Sequence, residues 1–180
     1  KGYRIMSSRR WRGLKHLRLA LLLFLAFLLI SSPILSADSG RIISTIQTGG
    51  NPRSLLIHNE YAFIGKEDGL SAVNISDVNE PREFCGIKLK GEVMGISISG
   101  NTLFAAVYRM GLVIIDITHP GFPKVKKVYN IKAEILNVLT TGSLAYVASG
   151  RGLIILDISD KYAPREIGLF ETESAVYDIC

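Results

Sequence analysis

The sequence has 180 residues, enough for one ordinary domain. Its formal net charge of +5 and its pI near 9.3 trace to seven Lys and Arg within the first 18 residues, and no Asp or Glu precedes Asp38. From Asp38 onward 14 basic residues face 16 acidic ones, so the body lacks the polycationic surface that nucleic-acid phosphates require.

The chain opens on three contrasting stretches. Residues 9–18 (RRWRGLKHLR) are cationic, and residues 19–30 (LALLLFLAFLLI) form an unbroken apolar run of 12. Residues 31–37 (SSPILSA) bring Pro33 and small residues. That order predicts an apolar leader helix acting as a secretory signal peptide over 1–37, cut after Ala37. A 12-residue helix spans about 18 Å, short of the roughly 30 Å hydrocarbon core. An uncleaved membrane anchor over residues 19–35 is the rival reading. Both place the body outside the cytoplasm, because the cationic flank stays inside. Membrane contact is then expected only through this N-terminal segment.

From residue 38 the sequence repeats itself. The first unit, about 42–89, offers SLLIH (54–58), a turn at Asn59-Glu60, YAFIG (61–65), GLSAVNISDVNEP (69–81) and REFCGI (82–87). The second, 90–131, offers ISIS (96–99), a turn at Asn101-Thr102, LFAAV (103–107), GLVIIDITHPGFP (111–123) and KVKKVY (124–129). The third, 132–172, offers NVLT (137–140), a turn at Gly142-Ser143, LAYVA (144–148), GLIILDISDKYAP (152–164) and REIGLF (165–170). An apolar residue stands eight positions before each glycine: Tyr61, Leu103 and Leu144. Gly69, Gly111 and Gly152 each precede Pro81, Pro123 or Pro164 by 12 residues, and successive glycines lie 42 and 41 apart.

Each unit reads as four short strands separated by turn residues. Four antiparallel strands every 41–42 residues predict an all-β fold, a β-propeller of four-stranded blades. The near-continuous apolar runs LVIID (112–116) and LIILD (153–157) predict third strands buried on both faces. Asn74, Asp116 and Asp157 end those strands, where a side-chain oxygen can bond downstream amides and set the turn. The prolines then fix the backbone ahead of an outer strand.

These residues resemble the LVIVD repeat family, related to other WD40-like propellers. LVIID with ITHP and LIILD with ISDKYAP match its core, while LSAVN with ISDVNEP is a weaker copy. The resemblance covers roughly residues 50–180. It implies a propeller in an exported or cell-surface protein, and it implies no common catalytic residues or cofactor.

Residues 176–179 repeat Val93–Ile96 at a distance of 83, so 173–180 reads as the opening strand of a fourth blade. The expectation is three complete blades plus the start of a fourth, an incomplete ring with open flanks.

No catalytic, cofactor or metal site is expected. His16, His58 and His119 have no ligand spacing around them, and residues 77–80 (DVNE) lack the alternation of a calcium loop. Asn74-Ile75-Ser76 fits a glycosylation triplet, but Asn74 holds the repeat's turn position. The glycine-rich run 149–152 lies between strands, with no helix to hold a phosphate. Lys124, Lys126 and Lys127 read as edge-strand protection. Cys85 and Cys180 read as small buried residues on separate blades rather than a disulfide.

The functional expectation is an extracytoplasmic interaction scaffold, not an enzyme, binding a protein, glycan or cell-surface component. The alternative is a propeller enzyme or small-ligand binder whose site lies on further blades. Asp68, Arg109 and Arg151, in the loops between second and third strands, are its available charges.

Overall fold

A computed structural model describes residues 40–179; the leader assigned to 1–37 and Cys180 lie outside the described residues. Gly40–Ile42 carry no regular structure. The described residues hold three four-stranded antiparallel sheets and no helix. Sheet 1 comprises β1 (Pro52–His58), β2 (Tyr61–Lys66), β3 (Gly69–Asn74) and β4 (Arg82–Lys88). Sheet 2 comprises β5 (Val93–Ser99), β6 (Thr102–Val107), β7 (Gly111–Asp116) and β8 (Lys124–Tyr129). Sheet 3 comprises β9 (Ile135–Thr141), β10 (Leu144–Ser149), β11 (Gly152–Asp157) and β12 (Arg165–Glu171). Each sheet is a simple meander in chain order.

The first hairpin of each sheet turns on two residues, and the first of the two has positive φ: Asn59 at 54°, Gly100 at 57° and Gly142 at 57°. Asn and Gly tolerate that region. In sheet 2 this places the turn at Gly100-Asn101, one residue earlier than the spacing to Gly111 predicts. The counterpart of Tyr61 and Leu144 is therefore Thr102, not Leu103, since Tyr61 faces Asn74, Thr102 faces Asp116 and Leu144 faces Asp157. The cause is one extra residue in the loop 108–110, taken up by Arg109 at φ 58°.

The sheets stack face on face with two cores between them. Phe63, Leu70 and Ala72 of sheet 1 pack against Leu103, Ala105, Val113 and Ile115 of sheet 2. Phe104, Leu112 and Ile114, on the opposite face of sheet 2, pack against Val138, Ala145, Val147, Ile154 and Leu156 of sheet 3. Alternate residues of β7 thus enter different cores, which is why its run is apolar throughout. In β11 only one face is buried. Leu153 and Ile155 stay half-exposed because no described sheet covers them, so the two-faced expectation fails for this strand.

Polar groups between sheets are satisfied. Ser97 and Thr140, on the inner strands of sheets 2 and 3, stand with their hydroxyl oxygens 2.8 Å apart. The Thr140 amide donates to Ser97 Oγ at 2.9 Å. Among the described residues no buried side-chain nitrogen or oxygen lacks a partner. Cys85 is a free thiol on β4 and half-buried, more open than the sequence reading expects. Residues 173–179 form no ladder, although the Val176 amide donates to Ser149 O at 3.1 Å.

Candidate functional site

The inner strands β1, β5 and β9 share one irregularity. Pro52 pairs with Lys66 and Ser54 with Gly65, so Arg53 is skipped. Val93 and Gly95 pair with Val107 and Ala106, skipping Met94. Ile135 and Asn137 pair with Ser149 and Ala148, skipping Leu136. A bulge of this kind re-aims the extra residue's side chain. Here the three extra residues line one cleft of about 420 Å³, together with Ser54, Gly95, Asn137, Tyr177 and Asp178.

The repeat register explains this gathering. Counting from Pro52, Val93, Ile135 and Val176, Arg53, Met94, Leu136 and Tyr177 occupy one position, and Ser54, Gly95, Asn137 and Asp178 the next. Asn137 Nδ2 donates to Asp178 Oδ1, and Ser54 Oγ donates to Val93 O at 3.2 Å. A Cβ at Gly95 would lie 2.1 Å from Asn137 Oδ1, so glycine lets the inner strands of sheets 2 and 3 approach. The cleft lining therefore combines polar groups at one repeat position (Ser54, Asn137 and Asp178) with a variable set at the other (Arg53, Met94, Leu136 and Tyr177). Tyr177 is 75% exposed.

Charged loops stand at the same end of the sheets. Arg53 bridges Glu67 and Glu92, each at 3.3 Å, tying sheet 1 to the loop that enters sheet 2. Arg109 pairs with Glu134 at 3.2 Å, a contact that raises the guanidinium pKa further, and its guanidinium lies over the Tyr108 ring. Arg151 pairs with Glu171 at 3.3 Å. The Asp68 carbonyl accepts the Leu89 amide at 2.9 Å. Such exposed pairs are screened by solvent and add little stability, so their role is to orient the loops. None of Asp68, Arg109 and Arg151 lines the cleft.

The nine residues marked by the repeat fall at two ends. Gly69, Gly111 and Gly152 open β3, β7 and β11 with φ of 144°, 104° and 125°, at the cleft end but outside its lining. Asn74, Asp116 and Asp157 close the same strands at the far end. Each accepts from a backbone amide and a hydroxyl two residues on: Ser76 at 2.8 and 2.6 Å, Thr118 at 2.9 and 2.7 Å, Ser159 at 2.9 and 2.6 Å. Pro81, Pro123 and Pro164 immediately precede β4, β8 and β12. His119 has no side-chain role in its turn, which the Phe122 amide closes on His119 O at 2.8 Å. Among the described residues no three metal-binding side chains cluster.

The Thr118 hydroxyl and amide, with Lys126 beside them, hold the Asp116 carboxyl down at about 2; the Ser159 hydroxyl and amide, aided by Arg165, lower that of Asp157. A depressed carboxyl contributes stability above its unfolded value near 3.9, and that contribution disappears as pH falls toward 2. The denaturation midpoint should therefore drop between pH about 4 and 2. The double variant Asp116→Asn, Asp157→Asn should flatten that limb while keeping the acceptor oxygens, as Asn74 already does in sheet 1. Urea titrations from pH 2 to 5 measure it, and an unchanged limb would count against these turns.

The cleft was not visible as a motif. Arg53, Ser54, Met94, Gly95, Leu136 and Asn137 belong to strands that meet only in three dimensions. Their one sequence signal is the shared register after the residue that opens each inner strand.

The LVIVD repeat model matches residues 49–85, 90–131 and 136–172. No curated protein matches the sequence. Similar solved structures include the β-propeller domain of Cps50 (Swd1) from Myceliophteria thermophila, at TM-score 0.53 and 14% identity over 68% of this chain and 40% of that one. A chain of a nidogen/laminin complex matches at TM-score 0.56 and 16% identity, over 76% of this chain and 54% of that one. A Myxococcus xanthus glutaminyl cyclase matches at TM-score 0.52 and 14% identity, over 68% and 51%. The chain thus spans about half or less of these structures, and at such identities the likeness concerns the β-propeller fold alone.

Proposed function

The chain belongs to the LVIVD repeat family, and from that premise we propose that it is an extracytoplasmic interaction scaffold whose axial cleft takes a protein, glycan or cell-surface component. The observation that carries this reading is the repeated bulge. It holds the backbone frame constant in three blades while presenting a different side chain from each: Arg53, Met94 and Leu136. An amphipathic lining on a rigid frame suits recognition, since rigid elements hold contacts without ordering cost. The leader pattern of residues 1–37 supports export, and the near-neutral body suits a partner other than nucleic acid. The half-exposed flank of sheet 3 supports an unclosed ring in these residues, with at least one further blade completing it.

The test places a photo-activatable cross-linking residue at position 177, on the cleft, and at position 125, on the outer strand β8, in the producing cell. Position 177 should give one discrete adduct in the extracytoplasmic fraction, on a chain whose N-terminus is Asp38, and position 125 none. Equal labelling from both positions, or recovery of the protein in the cytoplasm, would contradict the reading.

A further inference from the structure

We propose that Asn74 is an N-linked glycosylation site, its side-chain amide nitrogen joined to the first sugar of an oligosaccharide drawn from a lipid-pyrophosphate carrier. This rests on the export part of the reading above. It does not depend on what the cleft binds.

Asn74-Ile75-Ser76 stands alone in the chain, since no other asparagine is followed by Ser or Thr two places on. The repeat turn accounts for only half of the Asn74 amide. The Ser76 amide and hydroxyl both donate to Asn74 Oδ1, at 2.8 and 2.6 Å. A backbone N–H can only donate, so the atom it meets is the oxygen, and Nδ2 is left with both its protons to give.

Sheets 2 and 3 show how the leftover atom is otherwise closed off. Asp116 and Asp157 make the same turn, and their second oxygens meet Lys126 Nζ and the Arg165 guanidinium, each at 3.2 Å. Sheet 1 has neither contact. Arg82, the counterpart of Arg165, turns instead to Glu80 Oε2 at 2.7 Å. Phe84 stands in the place of Lys126. Phe84, Lys126 and Ile167 are each skipped in the pairing of third and fourth strands, so a bulge re-aims all three. Among the described residues Asn74 Nδ2 has no partner, and no buried side-chain nitrogen lacks one, so Nδ2 is open to solvent.

There is room beside it. Asn74 lines a hollow of about 260 Å³ with Ser76, Asp77, Glu80, Arg82 and Phe84. The Phe84 ring is held edge-on by Tyr61 and Phe122, at centroid separations of 6.2 and 6.3 Å, yet the residue stays 50% exposed. A sugar on Nδ2 finds there an apolar ring to lie against and charged groups for its hydroxyls. Residues 76–80 are exposed, so a bulky chain leaves the surface freely.

The transfer balances. Nδ2 attacks C1 of the sugar, the C1–O bond to the carrier breaks, and the lipid pyrophosphate leaves. One Nδ2 proton passes to a base of the membrane transferase. The Ser76 hydroxyl, by donating to Oδ1, draws electrons from the amide and makes that proton easier to lose.

The test is mass spectrometry of the tryptic peptide 67–82 from protein purified from its native source, with the N-terminus read on the same sample. The peptide should carry a saccharide, which fragmentation should place on Asn74 and not on Asn79. Asn74→Asp supplies the residue that sheets 2 and 3 use, so the fold should stand while the saccharide is lost completely. Ser76→Ala keeps Nδ2 and should lose the saccharide as well, whereas Ser76→Thr should retain it. A bare peptide on a chain that starts at Asp38 would overturn the proposal and leave export intact. A saccharide that survives Asn74→Asp would overturn it too, because the attachment would then run through a hydroxyl. A bare peptide on a chain kept in the cytoplasm would sink export and glycosylation together. What the cleft binds is scored separately, by the cross-linking at position 177.

Discussion

Gly69→Ala should destabilise the protein by about 3–5 kcal/mol, combining a strained backbone with forced overpacking. Gly69 sits at φ 144°, where an L side chain is rare, and a Cβ there would lie 1.8 Å from Ile87 O. The clash is with backbone, so no side-chain rotation relieves it. The same geometry recurs at Gly111, 2.5 Å from Tyr129 O, and at Gly152, 2.1 Å from Phe170 O. In each blade the third strand starts directly under the end of the outer strand, and only glycine permits the approach. Gly142→Ala is the control. Gly142 also has positive φ, at 57°, but nothing lies within 4 Å of its added Cβ. Its cost should be near 1–2 kcal/mol, that of the left-handed region alone. Urea denaturation of both variants separates the two terms, and equal midpoints would refute the close approach.

That contrast also shows what the sequence made legible. The glycine, the Asx residue and the proline recur because each solves a local backbone problem, and local problems leave local marks. Strand order follows, since four strands joined by short turns have little choice but a meander. Strand β6 of sheet 2 stands one residue off, starting at Thr102 and not Leu103, because the distance to Gly111 is not constant between blades. Arg109 absorbs an extra residue in a loop, where insertion costs little. The one-faced burial of β11 departs from the sequence pattern for a different reason. LIILD carries the same apolar run as LVIID, yet whether the second face is covered depends on a neighbouring sheet. The cleft was least legible. Arg53, Met94 and Leu136 share no residue type, and what unites them is a bulge in the ladder, which composition does not encode.

The cleft exists because the sheets stack around a common inner edge formed by β1, β5 and β9. If β5 and β9 did not abut, the bulge residues would not share a cleft. The Ser97 and Thr140 hydroxyl oxygens, 2.8 Å apart on neighbouring sheets, offer a direct probe. The variant Ser97→Cys, Thr140→Cys, built with Cys85→Ser and Cys180→Ser to avoid exchange, brings two thiols within bonding reach. Counting free thiols under mild oxidation, with the denaturation midpoint, is the decisive measurement. The pair should close spontaneously in the folded protein. The closed loop, with cysteines 43 residues apart, should add about 4 kcal/mol of stability by the loop-entropy relation. Two thiols that stay free in a protein that remains folded would contradict the blade stacking, and with it the axial cleft.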